Sequence, residues 1–223
     1  DNNRLTNTMD AKYYNRLVQD ESLPLYNNAT QARKAPGSTF KPITAIAALE
    51  ENVFGLNDTV NCTGIYDAIT PPLRCWIYPG RHGVQNIVAG IRNSCNFFFA
   101  DLGHRLATNL QGEYDPALGI ARLNKYATMF GLDQKSGVEI IENDPMISDQ
   151  SPEQSAIGQG TNSFANVQLS RYVTALANRG TVFDLSVLDR VTDWQGEAIR
   201  SYDPNVIRTM EVKPENWDAV QQG

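Results

Sequence analysis

An α+β fold, rich in helix and holding only part of a sheet, is what this 223-residue sequence predicts, and two kinds of signal predict it. The first is helical: 116–130 and 166–178 carry helix-forming patterns that stop at Gly131 and Gly180, the residue type that closes a helix at least steric cost. The second is a late hairpin, in which 187–194 and 197–202 flank a Gln195-Gly196 turn. Two further apolar segments, 84–92 and 97–107, read as helices joined by a short polar link, and Pro214 can open a last helix because a missing N–H costs least in the first turn. Phe97, Phe98 and Phe99 are assigned to the core. With 41% hydrophobic and 20% charged residues the chain suits one domain, or most of one, over 1–223.

Composition also excludes functions. A net charge of −6 without clustered Lys and Arg argues against nucleic acid as a partner. No apolar run reaches the ~18 residues of a membrane-spanning helix, and neither a signal peptide nor an internal repeat is visible.

The chemistry begins at 36–42, Pro-Gly-Ser-Thr-Phe-Lys-Pro, which sets a hydroxyl and an amine one helical turn apart. If a helix starts near Gly37, Ser38 and Lys41 share a face with Cβ atoms roughly 5–6 Å apart, and the lysine reaches the serine oxygen. A serine hydroxyl needs an adjacent base to act as a nucleophile. Lysine, with a reference pKa of about 10.4, becomes that base only if burial or a neighbouring cation depresses it. Ser-x-x-Lys alone is weak, since chance supplies about one in a chain of this length. Its setting strengthens it: Pro36-Gly37 opens a helix, Ile43, Ile46, Ala47 and Leu49 give an apolar face beyond the pair, and Pro42 falls in the first turn. Ser38 is therefore expected at a buried helix N-terminus.

Ser94-Cys95-Asn96 forms the polar link between the two apolar segments. Alone it says little, because an Asn before a helix is more often a cap than a catalyst. Paired with Ser38 and Lys41 it matches two of the three motifs shared by β-lactamases and penicillin-binding proteins.

On these motifs the chain resembles the transpeptidase domain of a penicillin-binding protein, most closely the monofunctional class B type. Asp10-Ala11-Lys12 and 24–29 resemble that family's run-up to the nucleophile, and His82-Gly83 the approach to its second motif. Ile157-Gly158-Gln159-Gly160, Val167-Gln168-Leu169 and Ala177-Asn178-Arg179-Gly180 resemble the segment before its third. One departure stands out: no lysine-threonine-glycine or lysine-serine-glycine triplet lies between Gly160 and Gly223. Lys135-Ser136-Gly137 is rejected as a substitute, because it precedes the Gly-Gln-Gly turn and follows a helix end capped by Gly131. The domain is thus expected to be incomplete at both ends, to lack the strand that supplies half of the oxyanion hole, and to be a poor enzyme without it.

The resemblance implies an antiparallel sheet flanked by helices, D,D-transpeptidation of peptidoglycan stem peptides through a serine acyl-enzyme, and covalent inhibition by β-lactams. Ser38 would be the nucleophile, Lys41 its base and Ser94 a proton relay; Asn96, with the Ser38 backbone N–H, would bind substrate. Gln159 and Gly160 would border the groove, although the glycines of that turn point first to tight backbone geometry. No metal or organic cofactor is implied. The resemblance places the domain on the extracytoplasmic face of a bacterial membrane, anchored by a segment outside this chain, among cell-wall synthesis partners. A class D β-lactamase or a penicillin-sensing receptor shares the first motif, but the stretches around Asp10, Pro24 and Gly158 favour the transpeptidase. A catalytically silent scaffold for cell-wall partners is opposed by the intact Ser38, Lys41, Ser94 and Asn96.

The other reactive side chains receive plainer readings. Cys62 and Cys75 flank a loop rich in Pro, Gly, Asp and Thr, and either form a bridge, which an extracytoplasmic location permits, or pack as unpaired thiols. Lacking any C-x-x-C, the three cysteines argue against a zinc site with His82 as fourth ligand. Cys95 is expected to pack inward against helices rather than against another thiol, and His104 to serve packing rather than catalysis.

Overall fold

The computed structural model describes residues 4–5 and 10–223. Helix α1 (Ala11–Val18) and the short α6 (Pro152–Ala156) are among its elements, and its centre is a helix, α2 (Lys41–Glu50), preceded by a 3-10 turn over Gly37–Phe40. From Ile43 to Leu49 every side chain of α2 is buried. A helix apolar on all sides must be surrounded, and α2 is: α4 (Asn96–Leu106), α5 (Pro116–Met129) and α8 (Pro214–Gln222) pack around it. Phe98 and Phe99 are fully buried and Phe97 lies against their cluster, as expected of core residues. The helix expected over 84–92 is divided, with Gly83–Gln85 extended as a strand and α3 (Ile87–Arg92) beginning after Asn86, whose side chain accepts from the Ala89 N–H.

Strand content is modest. Among the described residues the strands pair as two-stranded antiparallel ladders, and together with the helices they make an α+β fold. Arg33–Lys34 pairs with Phe164–Ala165, which leads into α7 (Asn166–Ala177). This ladder joins the approach to Ser38 to the segment after Gly158-Gln159-Gly160. Val60–Cys62 pairs with Gly83–Gln85, and Ile65–Tyr66 with Leu73–Arg74, so 60–85 folds back against the turn that carries Ser94. The late hairpin is present but shorter than its sequence pattern, with Arg190–Thr192 against Ala198–Ser201.

Side-chain and backbone contacts hold the nucleophile turn in place. The Gly37 N–H donates to the Gly158 carbonyl at 2.9 Å, Tyr172 donates to the Thr39 carbonyl at 2.8 Å, and Thr44 on α2 donates to the Ala156 carbonyl at 2.8 Å. Gly158 has φ +75°, and a Cβ there would stand 1.9 Å from the Gly37 oxygen. Lys135-Ser136-Gly137 has a structural task instead of a catalytic one. Ser136 is fully buried and donates its hydroxyl to Glu142 at 2.8 Å, while Lys135 pairs with Asp144 at 3.3 Å.

Gly158→Ala is expected to destabilise the protein by about 1–3 kcal/mol, the usual cost of overpacking, read from denaturant unfolding, and to displace the Ser38 turn. Unchanged stability would mean that the 37–158 approach is not tight.

Candidate active site

Local structure decides how the four motif side chains meet. The 3-10 turn puts Ser38 and Lys41 on one side, and Lys41 begins the α-helix proper. Ser38 is exposed, not buried as its position at a helix start suggested, whereas Lys41 is only 2% exposed. The nucleophile is therefore open to an incoming molecule and its partner amine is shielded. Across the site, Ser94 has φ +47°, and α4 begins immediately after Cys95. Asn96 is not the cap of that helix. Cys95 is, its sulfur accepting from the Phe98 N–H at 3.4 Å, which leaves the Asn96 amide free for Lys41.

The Lys41 Nζ is the hub. It donates to the Ser94 carbonyl at 2.7 Å and the Asn96 Oδ1 at 2.7 Å, and lies 3.0 Å from the Ser94 Oγ and 3.1 Å from the Ser38 Oγ. Ser94 Oγ donates to Ser38 Oγ at 2.8 Å, closing a triangle of two hydroxyls and an amine. All four expected catalytic residues are thus brought together. Burial pushes the Lys41 amine down to about 8, with the electrostatic influence of Cys75 and Cys95 acting in the opposite sense.

A neutral lysine amine has two N–H groups and one lone pair. Two of its neighbours here, the Ser94 carbonyl and the Asn96 amide oxygen, can only accept, and they sit closest. They take the two N–H groups, and the lone pair is left facing the hydroxyls, of which Ser38 can donate to it while Ser94 gives its hydrogen to Ser38 Oγ. In the neutral form of Lys41 the arrangement is a hydroxyl activated by a buried amine.

Gln159 is exposed, and its Nε2 lies 3.9 Å from the point a Cβ on Gly37 would occupy, so it borders the nucleophile turn. Gly160, also exposed, continues that rim. His104 serves packing as expected, but it has a carboxylate partner that linear spacing could not reveal: its Nδ1 lies 2.9 Å from Glu153, and its ring stacks on Tyr114.

Of the two readings for Cys62 and Cys75 the structure has the unpaired thiols, and the bridge and the reading of Cys95 need correction. All three thiols are free, so Cys62 and Cys75 form no bridge. Cys95 does not pack against helices alone, since its sulfur lies 3.8 Å from that of Cys75. Cys62, Cys75, His82 and Cys95 gather into one cluster, which the lack of a C-x-x-C spacing concealed because antiparallel pairing, not local sequence, assembles it.

Residues 2–223 match the family model for the penicillin binding protein transpeptidase domain. The chain belongs to that family. It is 28% identical over its whole length to the peptidoglycan D,D-transpeptidase MrdA of Haemophilus influenzae, of which the match covers 35%. It is 34% identical over 79% of its length to the stage V sporulation protein D of Bacillus subtilis, covering 25% of that protein. The chain therefore spans about a third or less of these relatives. Among solved structures, that of Pseudomonas aeruginosa PBP2 in complex with WCK 5153 superposes with a TM-score of 0.75 at 26% identity, covering 94% of this chain and 48% of the other.

Asn96→Leu is expected to cost about 1–3 kcal/mol, the penalty for removing the partner of a buried donor, in denaturant unfolding near neutral pH. A variant as stable as the parent would show that Asn96 does not hold the amine.

Proposed function

We propose that this chain is part of a transpeptidase domain, spanning 1–223, that cross-links peptidoglycan stem peptides through an acyl-enzyme on Ser38 and is acylated by β-lactams. The single observation that carries this reading is the Lys41 amine, buried, depressed to about 8 and 3.1 Å from the Ser38 hydroxyl.

Ser38 Oγ attacks the carbonyl carbon of the penultimate D-Ala and passes its proton to Lys41. The carbonyl oxygen becomes an oxyanion, toward which the Ser38 backbone N–H is one donor. The oxyanion then collapses and the C–N bond breaks. The terminal D-Ala nitrogen takes a proton through Ser94, whose Oγ is 3.0 Å from Lys41 and 2.8 Å from Ser38, and an ester on Ser38 remains. An amine of a second stem peptide attacks that ester and gives its proton to Lys41, and the new amide forms as the C–O bond breaks and Ser38 Oγ takes that proton back. A β-lactam follows the first half of this path, but its ring amide opens without releasing the nitrogen, so no product departs. Asn96, Gln159 and Gly160 contact the substrate backbone along the groove.

Among the described residues no helix is long and apolar enough to cross a membrane. The substrate is extracytoplasmic, and we place the domain there, held by a membrane anchor outside this chain and working beside other cell-wall synthesis proteins.

Labelled penicillin should attach to Ser38, as mapped by peptide mass spectrometry, and the adduct should vanish in Ser38→Ala; a label that persists on another residue would overturn the assignment. Lys41→Ala should slow acylation by about 10²–10⁴-fold, the usual worth of a positioned base. A rate within a factor of a few of the parent would make Lys41 structural.

A further inference from the structure

Behind the second motif, Cys62, Cys75, His82 and Cys95 bring their three sulfurs and one ring nitrogen within 4.8 Å of one another. They come from four places: Cys62 ends one strand, Cys75 follows another, His82 precedes a third, and Cys95 stands at the start of α4. Neighbours in space from four segments, all three cysteines buried, require a reason.

Hydrogen bonding is a poor one. A thiol is a weak donor and a weak acceptor, yet the partners of His82 Nδ1 are the sulfurs of Cys75 at 3.5 Å and Cys62 at 3.7 Å. Its Nε2 is buried without a hydrogen-bond partner. A disulfide does not account for the cluster either, since the Cys75 and Cys95 sulfurs are 3.8 Å apart where a bond needs about 2.05 Å.

A tetrahedral metal site fits on distances alone. With Zn–S near ~2.3 Å and Zn–N near ~2.0–2.1 Å, the edges of a tetrahedron are about 3.8 Å between sulfurs and about 3.5–3.6 Å between sulfur and nitrogen. The Cys75–Cys95 sulfur pair is 3.8 Å apart, the His82 Nδ1 lies 3.5 Å from Cys75 and 3.7 Å from Cys62, and the three remaining pairs lie within 4.8 Å. Soft thiolates with an imidazole in a tetrahedral array select zinc among the common divalent cations.

We propose that Cys62, Cys75, His82 and Cys95 bind one zinc ion in a closed Cys3His site. With all four positions filled by protein the metal has no vacancy for water or substrate, so it takes no part in bond making. Its role is positioning. Cys95 lies between Ser94 and Asn96, both of which hold Lys41, and the metal ties that turn to the ladders of 60–85. The N–H of Phe98, 3.4 Å from the Cys95 sulfur, supports the ligand from the helix side.

The test is metal content, which is read without any assay of acyl transfer. Purified protein should contain about one zinc per chain. Exchange for cobalt should give thiolate-to-cobalt charge-transfer bands, and Cys62→Ser and Cys75→Ser should each weaken cobalt binding by more than about 100-fold, the upper range for a merely supporting residue. Should the variants not fold, the parent alone still decides: bound metal should shield all three thiols from alkylation, and chelation should expose them. Metal-free protein with reactive thiols, a Cys62–Cys75 disulfide in non-reducing peptide maps, or cobalt binding untouched by both substitutions would overturn the proposal.

Discussion

One amine organises the site. Burial disfavours the charge on Lys41 and brings its titration down to about 8, while the two acceptors nearest it take N–H groups and leave the lone pair of the neutral form facing hydroxyls. Ser38 and Ser94 are useful only because that amine lies between them. Had Lys41 been exposed, it would titrate near the ordinary lysine value of about 10.4, and a far smaller neutral fraction would be available to the serine beside it.

Keeping a lysine in this condition requires rigidity on two sides. On one, α2 is enclosed by helices, and the turn before it is clamped by the Gly37–Gly158 hydrogen bond and by Tyr172 on the Thr39 carbonyl. On the other, the Ser94 turn is held by the positive φ of Ser94, by Cys95 as helix cap and by the thiol–imidazole cluster beneath it. A loosening of either side separates the amine from the hydroxyls.

The chemistry was easier to read from the sequence than the scaffold. Ser38 with Lys41 and Ser94 with Asn96 are legible because each pair is local, and a single helical turn or a tight link fixes its geometry. The helices over 116–130 and 166–178 are legible for a similar reason, each having a glycine where it must stop. By contrast, Gly83–Gln85 was hidden inside an apparently helical apolar run, because a three-residue strand has too few positions to show alternation. The cluster of Cys62, Cys75, His82 and Cys95 was illegible for the same reason, since it depends on which short strands pair. The exposure of Ser38 was also hidden, because the chain opens as a 3-10 turn and not as a full α-helical turn.

The pH dependence of penicillin acylation, measured as the second-order rate, probes the neutral Lys41 most directly. With its amine titrating at about 8, the rate should rise about tenfold per pH unit below that value and level off above it, as the base loses its proton, and Lys41→Ala should flatten the curve. A parent rate that is constant from about pH 6 to about pH 9 would show that a neutral amine is not the base.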